Sequence, residues 1–208
     1  MDLPPDIAIR WMTDAPGEPE RLEGLLSPGE RARVETFGHA GRRREFILGR
    51  AALRTLLAER LGTAPGEVPL VVAPDGGVEV EGADDLHLSI AHSGPHAVAA
   101  VGARRLGVDL ERIAPRHPDL ARFLLHPEER AYFDALPLDH TRSCILYWTL
   151  KEATLKALRT GFRTSPKKLR LDVDVGARRT VARVEGGPVL HARFEERDAF
   201  MMAVAYVP

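Results

Sequence analysis

Apolar residues recur at helical spacing in two long stretches of the chain, each of which ends at a glycine. The glycines, Gly62 and Gly161, are typical helix stops. Ser27 followed by proline predicts the start of a shorter helix, because serine caps a helix and proline suits its first turn. A fourth helical stretch is interrupted at Pro127. The predicted helices cover residues 26–37, 42–62, 117–136 and 141–161.

Shorter segments alternate between apolar and polar residues and predict β-strands. A Gly-Pro turn at 94–95 predicts a hairpin, and an Asp-Gly-Gly turn at 75–77 joins two short strands. A loop rich in proline and glycine is expected around Pro16 to Pro19. The predicted strands lie within residues 4–10, 68–80, 86–93, 96–101, 105–113, 168–175, 180–185, 189–196 and 199–207.

The two halves of the chain follow the same order: a long helix ending in glycine, then alternating strands, then an apolar strand. The offset of about a hundred residues indicates an internal repeat. The pattern therefore predicts an α+β fold of two similar subdomains with pseudo-twofold symmetry, residues 1–103 and residues 104–208.

Charge and composition exclude several classes of protein. The 208 residues carry 29 basic and 30 acidic side chains, which argues against a globally basic nucleic-acid binder. No apolar run is long enough to span a bilayer, and the first residues lack the apolar core of a signal peptide. The single cysteine, Cys144, excludes an internal disulfide framework. We expect a cytoplasmic protein that contacts neither membrane nor nucleic acid.

The segment Gly-Val-Asp-Leu-Glu at 107–111 is the first candidate for chemistry. Because side chains alternate along a strand, Asp109 and Glu111 project from one face. Two carboxylates on one face repel each other unless solvent screens them or a cation lies between them. The segment is therefore either the solvated face of an edge strand or part of a cation site.

The long helix of the second half contains the next candidate. Trp148, Glu152 and Lys156 are spaced four apart and share one helix face, with Lys151 about a quarter-turn away. An ordinary surface salt bridge between Glu152 and Lys156 would contribute only ~0.3–0.5 kcal/mol. The surrounding residues are almost all apolar, however, and charges are seldom buried without a function.

The strand end at 87–95 offers a third candidate. His92 and Ser93 place an imidazole and a hydroxyl beside free backbone N–H groups, where anions can bind. A purely structural histidine is the alternative. His87, His92 and His96 do not form a convincing zinc site, because the chain supplies no closed set of ligands around them.

Together the three segments suggest a hard divalent cation on Asp109, Glu111 and Glu152, with phosphates held by nearby lysines, His92 and arginines of the first long helix. The chain contains no P-loop, no dinucleotide-binding glycine pattern and no nucleophile elbow. Transfer between two substrates over a metal fits these residues better than covalent catalysis.

Gly-Val-Asp-Leu-Glu, followed downstream by Trp-Thr-Leu-Lys-Glu-Ala-Thr-Leu-Lys, resembles the signature of the Sfp-type 4′-phosphopantetheinyl transferases. Leu-Ser-Ile-Ala-His-Ser-Gly at 88–94 is similar to a further block of that family, and the likeness extends over about residues 26 to 161. It implies the family's two-subdomain fold in a monomer. It also implies Mg²⁺-dependent transfer of 4′-phosphopantetheine from coenzyme A to a serine of an apo acyl, peptidyl or aryl carrier protein, with release of 3′,5′-ADP.

The resemblance also implies roles for single residues in the second subdomain. Asp109, Glu111 and Glu152 would hold Mg²⁺ on the pyrophosphate. Lys156 would neutralise charge on the transferring phosphate, with Lys151 as a neighbour in the same field. The general base would be Glu152 or, through a water, Glu111. Metal and lysine suffice for this chemistry, because phosphoryl-type transfers depend on positioning and charge stabilisation.

The coenzyme A nucleotide would be bound by the first subdomain. His92 and Ser93 would contact its phosphates. Arg44 and Arg50 would serve the 3′-phosphate, chosen from a group of five arginines on the first long helix: Arg42, Arg43, Arg44, Arg50 and Arg54.

Two departures from the family pattern are present. Ser89 and Ala91 stand where the family has asparagine and serine, and residues 74–77 lack the family's coenzyme A-binding lysine. Weaker coenzyme A binding is expected, with activity retained. A non-catalytic coenzyme A-binding relative remains the alternative, whereas a nucleic-acid binder is disfavoured by Glu45 and Glu59 among the arginines.

The basic stretch from Lys151 to Arg170 either steers acidic carrier proteins or is a solvated helix end that complements the helix dipole. Carriers of fatty-acid, polyketide and nonribosomal-peptide synthesis are not distinguished by these residues.

Overall fold

The computed structural model describes residues 1–15, 19–73 and 76–208. Most of the predicted loop around Pro16 to Pro19, and residue 75 of the Asp-Gly-Gly turn, lie outside these ranges, as does half of the 74–77 segment. The chain forms two compact units, residues 5–103 and residues 104–208 together with Met1–Pro4. The predicted first subdomain thus differs from the compact unit by four residues. The Met1 amino group lies 3.1 Å from a carboxylate oxygen of Glu195, which ties it to the C-terminal unit.

In the unit of residues 5–103, the described residues form three helices, one 3₁₀ turn and five strands. These are β1 (Ala8–Thr13), α1 (Pro19–Glu23), α2 (Pro28–Val34), α3 (Ala40–Leu61), the turn Pro65–Glu67, β2 (Leu70–Val72), β3 (Val78–Val80), β4 (His87–Ser93) and β5 (His96–Gly102). The antiparallel strands pair in the order β1-β5-β4, and β2 pairs with β3. Helix α3 packs on β5 and β1 through a core that includes Leu53, Leu57 and Val101.

The start and end of the helices follow local chemistry. The Ser27 side chain accepts from the Glu30 backbone N–H while Glu30 accepts from the Ser27 N–H, a capping box that starts α2. Helix α3 ends at Gly62, whose φ of 69° lies in the left-handed region that favours glycine. Strand β1 begins later than the predicted residues 4–10, because Pro4 and Pro5 have no N–H to donate to a ladder.

The C-terminal unit contains three helices, three 3₁₀ turns and five strands. These are β6 (Leu106–Arg112), α4 (Leu120–Leu124), the turn Pro127–Glu129, α5 (Arg130–Asp134), α6 (His140–Ala157), the turns Gly161–Arg163 and Pro166–Lys168, β7 (Leu169–Asp174), β8 (Arg179–Val184), β9 (Val189–Arg197) and β10 (Phe200–Tyr206). The break predicted at Pro127 separates α4 from α5. Helix α6 ends at Ala157, before the predicted stop at Gly161.

The five antiparallel strands of this unit pair in the order β6-β10-β9-β8-β7. Helix α6 covers one face of the sheet, with Ile145, Leu146 and Leu150 packed against Ala203 and Ala205 of β10. In the β6–β10 register Ala203 pairs with Asp109, which places Asp109 on the helix-covered face. Both units pair helices with antiparallel sheets, so the predicted α+β class is confirmed. Within the described residues no helix is long and apolar enough to cross a membrane.

Candidate active site

Gly107 determines how closely β6 approaches α6. A Cβ atom at this position would lie 2.2 Å from the Ala153 carbonyl oxygen and 2.4 Å from the Ala157 backbone nitrogen. Only glycine fits so close a contact between two backbones. Because side chains alternate along a strand, Asp109 and Glu111 share the face of Gly107 and point towards α6.

Asp109 of β6 is in direct contact with Lys156 of α6. The Lys156 ammonium donates to Asp109 Oδ1 at 2.8 Å and to the Val108 carbonyl at 3.1 Å. Asp109 is 6% exposed, and its Oδ2 has no hydrogen-bond partner in the described part of the chain. A buried carboxylate oxygen without a donor is costly, so the position is suited to a further positive charge.

Glu111 is held at both of its carboxylate oxygens. The Trp148 indole N–H donates to Oε1 at 2.8 Å, and the Arg116 guanidinium lies 2.6 Å from Oε2. Burial raises the pKa of Glu111, the Asp109 charge raises it further, and the Arg116 guanidinium opposes them. The Asp109 carboxylate therefore still raises the pKa of Glu111, although two donors bind the Glu111 carboxylate.

Glu152 belongs to the same group of carboxylates. Burial, followed by the charge of Asp109, raises the pKa of Glu152 to about 7. The Lys156 charge opposes this rise, and the Glu111 charge adds to it. Asp109, Glu111 and Glu152 therefore act as one electrostatic cluster. A carboxyl pKa near neutrality is a common property of general bases.

Both structural alternatives for these segments are wrong. The strand face that carries Asp109 is not solvated, because α6 covers it. Lys156 is not a simple surface partner of Glu152, since its ammonium reaches across to β6 and donates to Asp109. Burial between a strand and a helix gives these charges much stronger mutual effects than an exposed helix pair has.

The chemistry of the cluster fits a hard divalent cation. Three carboxylates influence one another, and one buried oxygen has no donor, which is an arrangement that a cation with oxygen ligands relieves. No three His, Cys, Asp or Glu side chains among residues 1–15, 19–73 and 76–208 are grouped as metal ligands. Here Lys156 and Arg116 supply positive charge to Asp109 and Glu111 instead.

Lys151 lies in a different environment. Its side chain is 1% exposed. The ammonium donates to Glu129 at 2.6 Å and to the carbonyls of Leu124, Leu169 and Pro166 at 2.8, 2.8 and 3.1 Å. Burial lowers the pKa of Lys151, and the Glu129 charge opposes this effect. The structure thus places Lys151 apart from Asp109 and Lys156, and the ammonium would have to leave these acceptors before it could contact a coenzyme A phosphate.

In the unit of residues 5–103, Arg50 and His92 line one pocket of about 520 Å³ together with Arg42, Glu45 and Phe46. The Arg50 guanidinium lies 5.3 Å from the centre of the Phe46 ring, within cation–π range. Burial lowers the pKa of Arg50, and the nearby Glu30 charge opposes this. The pocket thus combines two arginines, an imidazole, two aromatic rings and one carboxylate.

The other arginines of α3 make different contacts. Arg44 lies 2.8 Å from Asp14 and lines a separate pocket of about 280 Å³. Arg43 pairs with Glu23 at 3.0 Å. Arg54 is buried and donates to backbone carbonyls. The structure thus groups Arg50 with His92 and Arg42, and it places Arg44 elsewhere.

Ser93 is the last residue of β4, directly after the exposed His92. The next residue, Gly94, has a φ of 57° and turns the chain into β5. Ala91 is buried at 3% exposure, and Ser89 lies two residues before it on the same strand. An alanine at this buried position brings no hydroxyl that needs a partner.

Two residues of these networks were not predicted from the sequence. Arg116 lies in a segment between β6 and α4 that has no periodic pattern. Glu129 accepts from the His126 N–H in a capping box that begins at His126, so the spacing of these two residues is a recognisable signal.

Comparison with known proteins identifies the same family as the sequence motifs of β6 and α6. The family model of the 4′-phosphopantetheinyl transferase superfamily matches residues 105–205. A 4′-phosphopantetheinyl transferase of Bacillus subtilis is 27% identical over 141 residues, which cover 67% of this chain and 63% of the relative. The 4′-phosphopantetheinyl transferase HetI of Nostoc sp. is 33% identical over 147 residues, or 67% of this chain and 62% of the relative.

This chain therefore spans less than two thirds of the length of these two relatives. The holo-[acyl-carrier-protein] synthase of Geobacillus kaustophilus is 36% identical over 94 residues, which cover 41% of this chain and 72% of that shorter relative. The carboxylates and Lys156 of the β6–α6 cluster all lie inside the segment that the family model matches. The chain belongs to the 4′-phosphopantetheinyl transferase superfamily.

Proposed function

We propose that this protein transfers 4′-phosphopantetheine from coenzyme A to a serine hydroxyl of an apo carrier protein and releases 3′,5′-ADP. The observation that carries the proposal is the cluster of Asp109, Glu111 and Glu152 beside Lys156. Family membership supports the same reaction. The carrier would be an acyl, peptidyl or aryl carrier protein of fatty-acid, polyketide or nonribosomal-peptide synthesis.

In the proposed reaction the serine oxygen forms a bond to the phosphorus that carries pantetheine. The bond between that phosphorus and the bridging pyrophosphate oxygen breaks, and 3′,5′-ADP leaves with the bond's electrons. The hydroxyl proton goes to the carboxylate of Glu152, the general base that the resemblance to the family implies. Glu111, acting through a water, is the alternative acceptor.

Asp109, Glu111 and Glu152 would hold the Mg²⁺ ion. When bound there, Mg²⁺ supplies positive charge to the pyrophosphate oxygens. Lys156 has a compact ammonium that already lies on Asp109 Oδ1, and it would stabilise the charge that develops on the transferring phosphate. No covalent intermediate on the protein is needed.

Arg50 and His92 would bind phosphates of the nucleotide, because they line one pocket of the unit of residues 5–103. Arg42, on the same pocket, is a further candidate, and Ser93 would add a hydroxyl. Arg44 would have to leave its ion pair with Asp14 before it could reach the 3′-phosphate.

Carrier proteins would approach a positively charged segment of the C-terminal unit. The sequence has no acidic residue from 153 to 171, and four of its basic side chains are exposed: Arg159, Arg163, Lys167 and Lys168. Such a surface speeds encounter with an acidic partner. We propose a monomer in the cytoplasm as the working state.

The test is intact-mass analysis of a panel of apo carriers after incubation with this protein, coenzyme A and Mg²⁺. We expect a phosphopantetheine-sized mass gain on at least one carrier, and its loss with a chelator or with Glu152→Gln. Glu196→Gln is the matched control, because Glu196 is a partly exposed carboxyl of the same unit that pairs with Arg142. That variant should retain the transfer.

If no carrier in the panel gains mass, coenzyme A binding measured by calorimetry decides between the remaining possibilities. Binding without transfer would support the non-catalytic coenzyme A-binding relative. Absence of binding would contradict the whole assignment.

A further inference from the structure

Arg116 occupies the one carboxylate oxygen of Glu111 that Trp148 leaves open. Its Nη2 lies 2.6 Å from Oε2, while the Trp148 indole donates to Oε1 at 2.8 Å. The Glu111 side chain is 20% exposed, so most of it is out of contact with water. The two contacts differ in kind, because the indole is neutral and the guanidinium carries a full positive charge.

A guanidinium and a metal ion on one carboxylate oxygen repel each other, since both are cations, and each weakens the binding of the other. A neutral indole N–H on the other oxygen does not have this effect, and outer hydrogen bonds of that kind orient metal-binding carboxylates. A cation that binds Glu111 through Oε2 therefore competes with Arg116, while Trp148 can keep its place.

The surroundings of Arg116 indicate that it can leave Glu111 at a small cost in free energy. Its side chain is 43% exposed, and residues 113–119 form neither helix nor strand. Exposed ion pairs contribute little to stability, and a long side chain in a loop gains rotational freedom on release. Lys156 differs, because it is less exposed, at 33%, and donates to a strand carbonyl as well as to Asp109.

We infer that Arg116 is a positioning residue that holds Glu111 and competes with the divalent cation for it. This inference rests on the proposed function, because it takes Glu111 to be part of the cation site. The arginine partly neutralises the carboxylate cluster, and it lowers the affinity of the protein for that cation.

The test is calorimetric titration of the purified full chain with Mn²⁺, without coenzyme A, at fixed pH and about 0.15 M salt. Replacing Arg116 by alanine removes the competitor. Because a partly exposed ion pair contributes little, we expect Arg116→Ala to bind Mn²⁺ roughly two- to fivefold more tightly than the wild type, which corresponds to about 0.4–1 kcal/mol. Arg116→Lys keeps the positive charge, and its Mn²⁺ affinity should lie between those of the wild type and Arg116→Ala.

Arg130→Ala is the matched control. It also removes one positive charge from the C-terminal unit, but Arg130 pairs with Asp134 at 2.7 Å rather than with Glu111. Its Mn²⁺ affinity should stay within twofold of the wild type. A similar gain in both variants would show a general charge effect and would overturn the inference.

The two proposals fail in different ways. If wild-type protein binds Mn²⁺ and Arg116→Ala binds it equally well or more weakly, the competition is refuted while the cation site stands. If neither the wild type nor Arg116→Ala binds Mn²⁺, the cation site of the proposed function fails, and the inference fails with it.

Discussion

Replacing Lys151 by methionine tests the strongest disagreement between motif and structure. By resemblance this lysine belongs to the phosphate-binding field, yet in the structure its ammonium is buried among four acceptors. Methionine fills most of the volume of the lysine stem, so the change removes the ammonium and leaves little cavity behind.

The expected loss of stability follows from what the ammonium leaves without a partner. Glu129 keeps its bonds from the backbone N–H groups of His126 and Leu171 but loses its counter-ion, and three carbonyls lose a donor. Breaking one side of a buried ion pair costs about 3–5 kcal/mol. For a chain of this size, that corresponds to a fall in Tm of roughly 6 to 20 °C.

The assay is denaturant unfolding followed by circular dichroism, combined with coenzyme A calorimetry under conditions where the variant is folded. We expect Lys151→Met to lose several kcal/mol while its coenzyme A affinity stays within about twofold of the wild type. Lys151→Met combined with Glu129→Gln should recover part of the loss, because the uncompensated carboxylate is then gone. Lys167→Met, at an exposed position, should change stability by less than about 0.5 kcal/mol.

One result would refute this reasoning. If Lys151→Met unfolds at the wild-type denaturant concentration but binds coenzyme A tenfold more weakly or worse, Lys151 is a ligand residue after all. The buried network around Glu129 would then have to rearrange in solution to expose the ammonium.

Three further changes are expected to have measurable effects. Ser27→Ala removes the cap of α2 and should cost about 1 kcal/mol in urea unfolding, with an unchanged m-value. Glu30→Gln should cost more, about 3 kcal/mol or above in the same assay, because it leaves the buried Arg54 without its anion. In chelator-treated protein, stability should fall as pH rises from about 4.5 to about 7 and should level off above that pH. The reason is that the folded state raises the pKa of Glu152 to about 7, whereas the unfolded chain loses this proton near the ordinary value of 4.5. Glu152→Gln should flatten that decline, and an equally steep decline in the variant would rule out Glu152 as its source.

Much of the fold could be predicted from the sequence, because the boundaries of several helices and strands are determined by local sequence signals. Glycine at the end of α3 and the serine cap of α2 each specify a boundary through the chemistry of one or two residues. Alternation placed Asp109 and Glu111 on one face of β6. These features depend on backbone geometry, which a short sequence window contains.

The parts that escaped prediction depend on what packs against each element. Helical spacing shows that Glu152 and Lys156 share a face and that Lys151 lies to one side. It does not show which face meets the sheet, because α6 is buried on nearly all sides. Whether Asp109 is solvated likewise depends on α6, which follows it much later in the chain. Arg116 lies in an irregular segment, where no period relates a side chain to its partner.

Strand β6 and helix α6 approach closely at Gly107, so this glycine should be included when the sequence signature is used to recognise active relatives. The residues of the motif with chemical roles are Asp, Glu and Lys. A search that scores only these residues ignores the glycine that precedes them. Yet any side chain at Gly107 would meet the backbone of Ala153 and Ala157 and push β6 away from α6. A homologue can keep all of its charged residues and have a larger residue at this position. In such a protein β6 and α6 would lie too far apart for their charged side chains to form the cluster. Such sequences are the first in which to look for members of the superfamily that have kept the fold and lost turnover.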